Sequence, residues 1–237
     1  MMITEAIVLA GGLGTRLRSK VHQLPKCMAP VAGIPFIDYV IGNLEKGGIQ
    51  RFVFAVGYLS EPLVKHILSK WSDKIECIFS KEEEPLGTGG AVLQASKYIK
   101  NEDFIVCNGD TLFDIDIVEL YQFHLNKNAF ISVALKHMQN FERYGTVTLN
   151  ENENIIAFHE KKHMVDGLIN AGIYILHLEK WTNMNLPFKF SFETEILEKE
   201  VTRRSLYGKI FHDYFIDIGI PEDFLKAQTE LLKFKDI

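Results

Sequence analysis

Four strand-like runs alternate with three segments of helical period across the first half of the chain. That order restricts the fold more than any other feature. Residues 3–9 read as a buried strand that ends in glycines, and residues 36–46 place Phe36, Val40 and Leu44 at helical spacing. A second strand, 51–56, ends at Gly57. The helix 63–71 follows, with Ser60 expected as its cap and Pro62 in its first turn. Residues 75–79 are a third strand, 88–99 a helix and 104–107 a fourth, very apolar strand. Strands alternating with helices imply βαβ units, a parallel sheet and right-handed crossovers.

The pattern then changes. Residues 130–136, 145–149, 155–158 and 169–178 read as strands with short connections. Ser191 is placed to cap a helix through Lys199, and 206–211 and 214–218 are short strands. Pro221 opens a last helix, with Glu222 and Asp223 near its positive end. The expectation is an α/β fold: one domain over 1–237, its mostly parallel, Rossmann-like sheet flanked by helices and extended by antiparallel strands. Ligands of such sheets bind beyond the carboxyl ends of the strands. Residues 11–15, Gly57, 108–110 and Gly219 all fall there.

Bulk properties exclude several classes of function. A length of 237 residues suits one domain, and 47% hydrophobic with 24% charged residues is ordinary for a globular chain. A net charge of -5 argues against a general nucleic-acid binder, whose affinity rests on neutralising phosphates. No run approaches the ~20 apolar residues of a membrane helix, and the N-terminus lacks the basic segment of a signal peptide. Cys27, Cys77 and Cys107 are an odd count without metal-ligand spacing and read as reduced thiols. The expectation is a cytoplasmic protein with no membrane or nucleic-acid partner. Apolar helix faces serve equally as core or interface, so a homo-oligomer stays open.

The densest local signal is Leu9-Ala10-Gly11-Gly12-Leu13-Gly14-Thr15-Arg16-Leu17, directly after the first strand. Glycines let backbone approach a phosphate, and exposed N–H groups make an anion cradle. No lysine completes a P-loop, and Leu17 stands where a dinucleotide fingerprint needs its third glycine. Alone, the loop is also compatible with a tight turn. Arg16, and Lys26 in Leu24-Pro25-Lys26, add two cations suited to the β- and γ-phosphates of a nucleoside triphosphate.

With Gly33-Ile34-Pro35 these segments resemble the sugar-1-phosphate nucleotidyltransferases in residue type and spacing. One departure is Cys27, where that family usually has proline after the lysine. The resemblance covers essentially the whole chain, and the expectation from its end is that no acyltransferase or regulatory domain is added. It implies that Leu9, Ala10, Gly11, Gly12, Gly14 and Thr15 hold the nucleotide, with Glu82, Pro85, Gly87, Thr88 and Asn108 around its base. Arg16 and Lys26 would be catalytic. Asp110 and Asp217 each follow an apolar strand and alone would be read as turn caps; both match the residues that hold Mg²⁺ in this family. The sugar phosphate would lie among Gly145, Glu160, Lys161, Asn170 and Gly172.

Two other motifs receive plainer readings. Asp114 and Asp116 suggest the Asp-x-Asp of glycosyltransferases, but Asp116 is placed to cap a helix over 117–125. His159-Glu160-Lys161-Lys162-His163 matches a zinc-protease pattern, yet it reads as a loop between strands.

Glu82 stands where thymidylyl relatives carry a base-pairing glutamine. A carboxylate accepts from the N1–H and N2–H₂ donors of guanine, whereas uracil and thymine present an acceptor oxygen there. The expected donor is therefore GTP. Residues 84–91, 108–111, 143–147 and 214–219 look most like the D-glycero-α-D-manno-heptose 1-phosphate guanylyltransferases, which serve surface polysaccharide synthesis. The alternatives are a uridylyl-, cytidylyl- or mannose-1-phosphate guanylyltransferase, a nucleotide-sugar glycosyltransferase, or a non-catalytic nucleotide sensor.

Overall fold

The computed structural model describes residues 2–12, 24–57, 60–203 and 205–234. β1 (Glu5–Leu9) leads past a short turn and the small hairpin β2 (Pro30–Val31) and β3 (Ile34–Pro35) into α1 (Phe36–Lys46). β4 (Arg51–Val56), α2 (Ser60–Trp71), β5 (Glu76–Lys81), α3 (Gly87–Ser96) and β6 (Asp103–Asn108) complete the alternating half. The helix α2 already contains Ser60, the expected cap.

β1 pairs in parallel with both β4 and β6, and β4 pairs in parallel with β5. The spatial order is thus β5-β4-β1-β6. The chain moves outward from β1 to β5, then crosses back to β6. The order therefore reverses between β1 and β6, and their carboxyl ends flank the crevice where such sheets take ligands.

The second half extends the sheet. β7 (Thr111–Phe113), α4 (Ile117–Lys127), β8 (Ile131–Phe141), β9 (Thr146–Leu149), β10 (Ile155–His159) and the long β11 (Met164–His177) follow in order. β11 runs antiparallel to β6, β8 and β9 and joins the added strands to the parallel core. After α5 (Leu178–Thr182), a π-helical turn over Glu193–Leu197 continues as α6 (Glu198–Glu200). β12 (Leu206–Phe211) pairs in parallel with β8, β13 (Phe215–Asp217) pairs with β7, and α7 (Pro221–Glu230) covers the end.

Two apolar layers sandwich the sheet. Alternate residues of each strand go to opposite faces: Ala6, Val8, Phe52, Phe54, Ile105 and Cys107 pack under α1, α2, α4 and α7. Ile7, Val53, Ala55, Phe104 and Val106 meet α3 and the segment around Phe190 and Phe192. The expected α/β architecture, parallel sheet plus antiparallel strands, is the one observed. The expected cap at Asp116 forms too, its carboxylate accepting from the Val118 and Glu119 N–H groups at 2.8 and 3.1 Å. No helix among the described residues is long and apolar enough to cross a membrane.

Candidate active site

The switch point brings distant residues together by backbone pairing. The Gly109 N–H donates to the Leu9 carbonyl at 2.9 Å, fixing the turn after β6 against the end of β1. A Cβ on Gly109 would stand 3.0 Å from that carbonyl oxygen, so glycine permits this approach. β13 lies antiparallel to β7 with Asp217 opposite Thr111, and the Ile218 N–H donates to the Asp110 carbonyl at 3.1 Å. That register carries Asp217, 107 positions downstream by sequence number, beside Asp110.

Lys26 stands between the two carboxylates. Pro25 opens a 3₁₀ turn, closed by hydrogen bonds from Met28 N–H to the Pro25 carbonyl (2.8 Å) and from Ala29 N–H to the Lys26 carbonyl (3.0 Å). The turn aims Lys26 Nζ at Asp110, with which it pairs, and at Asp217 Oδ1, 3.6 Å away. The turn forms with Cys27 directly after Lys26. Burial and then the charge of Asp110 push the Cys27 thiol up to about 12, so it is a packing group rather than a nucleophile.

Asp217 is held from several sides. The Gly219 N–H donates to its Oδ1 at 2.7 Å, and Arg143 Nη2 lies 4.0 Å from its Oδ2. Arg143 also pairs with Asp223 on the first turn of α7. Burial and the neighbouring charge of Asp110 raise the Asp217 pKa, against the opposing pull of Lys26 and Arg143. The pair of carboxylates at the crevice thus still favours added positive charge. Two carboxylate donors fit a hard divalent cation that takes its remaining ligands from phosphate oxygens and water.

On the other side of β1, Glu82 follows β5. Its Oε2 accepts from the Leu86 N–H at 3.0 Å, and a Cβ on Gly11 would lie 3.3 Å from its Oε1. Glu82 therefore closes on the glycine loop. Among the described residues nothing lies within 4 Å of a Cβ placed on Gly12. Leu13, Gly14, Thr15, Arg16 and Leu17, named from the sequence, lie outside the described residues.

The loop after Glu82 is shaped by packing. Gly87 has φ +74°, and a Cβ there would meet the Phe190 carbonyl oxygen at 2.5 Å. At Gly89 it would strike the Phe190 ring at 2.2 Å. The Thr88 hydroxyl, expected near the nucleotide, is engaged with Glu193 at 2.6 Å and accepts from the Phe192 N–H at 2.9 Å. Its side chain thus serves the turn beyond Ser191.

Next to this centre is a cavity of about 400 Å³ whose walls include Gly145, Glu160, Lys161 and Asn170, all expected from the sequence. Tyr144, Thr146, Phe158 and His159 line it too, and Glu193, Leu197 and Glu198, which were not anticipated, also contribute. Gly145 sits against β10, where a Cβ would meet the His159 carbonyl oxygen at 2.5 Å. Gly172, with φ +75°, lets Asn108 approach, since a Cβ would come within 2.5 Å of Asn108 Nδ2. Asn170 Oδ1 accepts from the Gly172 N–H at 3.0 Å, so Asn108, Asn170 and Gly172 form one junction between the crevice and the cavity. Residues 160–163 are irregular between β10 and β11, so the zinc-protease pattern forms no helix. Arg143 carries no sequence signal beyond its place before Tyr144-Gly145.

Comparison with known proteins gives the family. Residues 5–233 match the family described as nucleotidyl transferase. The chain belongs to the nucleotidyl transferase family. Among proteins similar to this nucleotidyl transferase, the D-glycero-alpha-D-manno-heptose 1-phosphate guanylyltransferase of Aneurinibacillus thermoaerophilus is 44% identical, over 96% of this chain and 98% of that protein. The enzyme of the same name from Campylobacter jejuni is 44% identical, over 93% and 96% respectively. The crystal structure of HddC from Yersinia pseudotuberculosis superposes with a TM-score of 0.86 at 33% identity, covering 98% of this chain and 100% of that one. HddC has also been solved in complex with GMP-PN, with the same similarity. The inositol-1-phosphate CTP transferase of T. maritima shares the fold, with a TM-score of 0.75 at 21% identity.

Proposed function

We propose that this nucleotidyl transferase is a D-glycero-α-D-manno-heptose 1-phosphate guanylyltransferase, forming GDP-heptose and pyrophosphate from GTP and the sugar 1-phosphate. The observation that carries the proposal is the meeting of Lys26, Asp110 and Asp217 at the sheet's switch point, beside the cavity lined by Glu160 and Lys161. The similarity to guanylyltransferases of that name supports the base and the sugar.

GTP lies on Leu9, Ala10, Gly11 and Gly12 and continues over Gly14 and Thr15. Its guanine meets Glu82, Pro85, Gly87 and Asn108, with Thr88 contributing through its backbone. The sugar occupies the cavity between Gly145, Glu160 and Asn170, with Gly172 at its border, and Lys161 holds its phosphate. A phosphate oxygen of the sugar 1-phosphate forms a new bond to the α-phosphorus of GTP. The bond from that phosphorus to its β-bridging oxygen breaks, and its electron pair leaves with pyrophosphate. A phosphate monoester is already anionic near neutral pH, so no general base is required. Positioning and charge compensation supply the catalysis. Lys26 and Arg16 stabilise the departing pyrophosphate. Asp110 and Asp217 would hold a divalent cation, Mg²⁺, whose charge offsets that of the phosphates.

The reading places the protein in the cytoplasm, as one domain over 1–237, feeding synthesis of a surface polysaccharide such as a capsule. The test is pyrophosphate release with Mg²⁺ and D-glycero-α-D-manno-heptose 1-phosphate, with GTP, UTP, CTP, ATP and dTTP assayed in parallel. Release with GTP alone is expected. Release with another nucleotide would overturn the base assignment. Release with mannose 1-phosphate in place of heptose 1-phosphate would overturn the sugar.

A further inference from the structure

The segment after Ser191 does more than cap a helix. Ser191 Oγ accepts from the Thr194 N–H at 3.3 Å, as a helix cap does. The turn that follows, Glu193–Leu197, is nevertheless π-helical. Single π-helical turns often occur at functional sites, where they redirect side chains. Here Glu193, at the start of the turn, and Leu197, at its end, both line the cavity that also contains Glu160, Lys161 and Asn170.

The Glu193 carboxylate is held asymmetrically. Its Oε2 accepts from the Thr88 hydroxyl at 2.6 Å and from the Ser191 hydroxyl at 2.8 Å. Among the described residues no hydrogen bond reaches Oε1. One oxygen is therefore anchored by two donors, which orients the other. The Thr88 hydroxyl is itself fixed by accepting from the Phe192 N–H at 2.9 Å. The chain segment behind it cannot drift, because Gly87 and Gly89 pack directly against Phe190 and the Gly89 N–H donates to the Phe190 carbonyl at 3.0 Å. This arrangement stands outside the nucleotide crevice. It makes a rigid acceptor in the wall of the cavity, and among the described residues no ion pair engages it.

We infer that Glu193 is a sugar-reading residue, its Oε1 accepting a hydrogen bond from a hydroxyl of the sugar 1-phosphate, and that Thr88 positions it. A polyhydroxylated sugar offers donors that a fixed carboxylate oxygen can accept, and hydrogen bonds to charged groups are among the stronger ones. Thr88 stands in the first turn of α3, next to the residues expected to border the base, yet its hydroxyl is engaged by Glu193, which lines the sugar cavity. Loss of that hydroxyl should therefore change sugar affinity. The inference rests on the sugar 1-phosphate reading given above.

The test separates KM for each substrate in the wild type, Glu193→Gln, Thr88→Val and Thr88→Ser. In Glu193→Gln the single amide oxygen stays with the Thr88 and Ser191 donors, so an NH₂ group turns to the cavity and presents a donor where an acceptor stood. The KM for heptose 1-phosphate is expected to rise about tenfold or more, from the loss of one charge-assisted hydrogen bond, with the KM for GTP unchanged. Thr88→Val should shift the sugar KM in the same direction, and Thr88→Ser, which keeps the hydroxyl, should keep the wild-type sugar KM. Thermal melts of each variant separate loss of folding from loss of binding, and Glu193→Gln, nearly isosteric, carries the decision if Thr88→Val fails to fold. An active wild type with an unchanged sugar KM in Glu193→Gln overturns the inference alone. A wild type silent with every sugar 1-phosphate overturns the functional reading and this inference with it.

Discussion

Glu82→Gln should invert the base preference, and the structure indicates why by more than charge. Oε2 of Glu82 accepts from the Leu86 N–H at 3.0 Å, which fixes the residues after β5. Oε1 faces the Gly11 side, 3.3 Å from where a Cβ of residue 11 would be. A glutamine has one acceptor, and the Leu86 N–H claims it. The amide NH₂ then occupies the place of Oε1. Guanine's pairing edge brings N1–H and N2–H₂ donors, so donors would face donors. Losing one hydrogen bond to a charged acceptor costs about 1.5–3 kcal/mol, or roughly 10- to 150-fold in affinity. With two guanine donors affected, kcat/KM for GTP should fall by about 10² or more, while UTP, whose edge carries an acceptor oxygen, should improve. Burial raises the Glu82 pKa and the hydrogen bond from the Leu86 N–H opposes that. The assay is steady-state pyrophosphate release over a concentration series of GTP and of UTP. A GTP/UTP ratio equal to that of the wild type would refute the reasoning. So would an equal fall for both nucleotides, which would make Glu82 a prop for the loop and not a reader of the base.

Two further perturbations test the site and the scaffold separately. Lys26→Ala removes the cation between Asp110 and Asp217, and turnover should fall about 10²–10³-fold, the usual effect of one lost electrostatic contact to the transition state. Both carboxylates keep access to water, so the melting temperature should stay close to wild type; near-normal turnover would remove Lys26 from the chemistry. Asp103→Asn tests the scaffold. Burial opposes ionisation of Asp103, but the hydrogen bond and charge of His124, the charge of His177 and the Tyr121 hydroxyl together hold its pKa below the ordinary value. A carboxyl depressed on folding stabilises fully above its unfolded pKa of about 3.9 and loses that stability as pH falls toward its folded value. Chemical denaturation at pH 7 and stepwise below pH 5 should therefore show a shallower acid decline in Asp103→Asn, and parallel curves for the two proteins would refute the assignment.

What could be read from the chain depended on how local its cause was. The strands β1, β4 and β6 were legible because their residues alternate between two buried layers, and α1 and β12 occupy the expected residues, 36–46 and 206–211. The cap at Asp116 was legible for the same reason, since its partners are two and three residues away. The meeting of Asp110 and Asp217 was of another kind. Residue types and a family resemblance suggested it, but its physical cause is the register of β7 on β13, a pairing between segments about a hundred positions apart. Glu193 escaped notice because Ser191 reads as an ordinary cap, and nothing in Ser191-Phe192-Glu193-Thr194 marks a π-helical turn before Thr88 is seen to hold it. The glycines of 87–90 show the same limit from the other side. A run of glycine beside a threonine invites a phosphate-loop reading, yet Gly87 and Gly89 are small because Phe190 leaves no room for a Cβ. Composition marks where backbone must come close to something; only the packed chain says whether that partner is a ligand or another residue. In this protein the second case holds in the first turn of α3, where Phe190 fills the space beside Gly87 and Gly89. The sugar wall is therefore built on a rigid joint, and specificity for the sugar should be changed at Glu193 more readily than at the glycines that hold it in place.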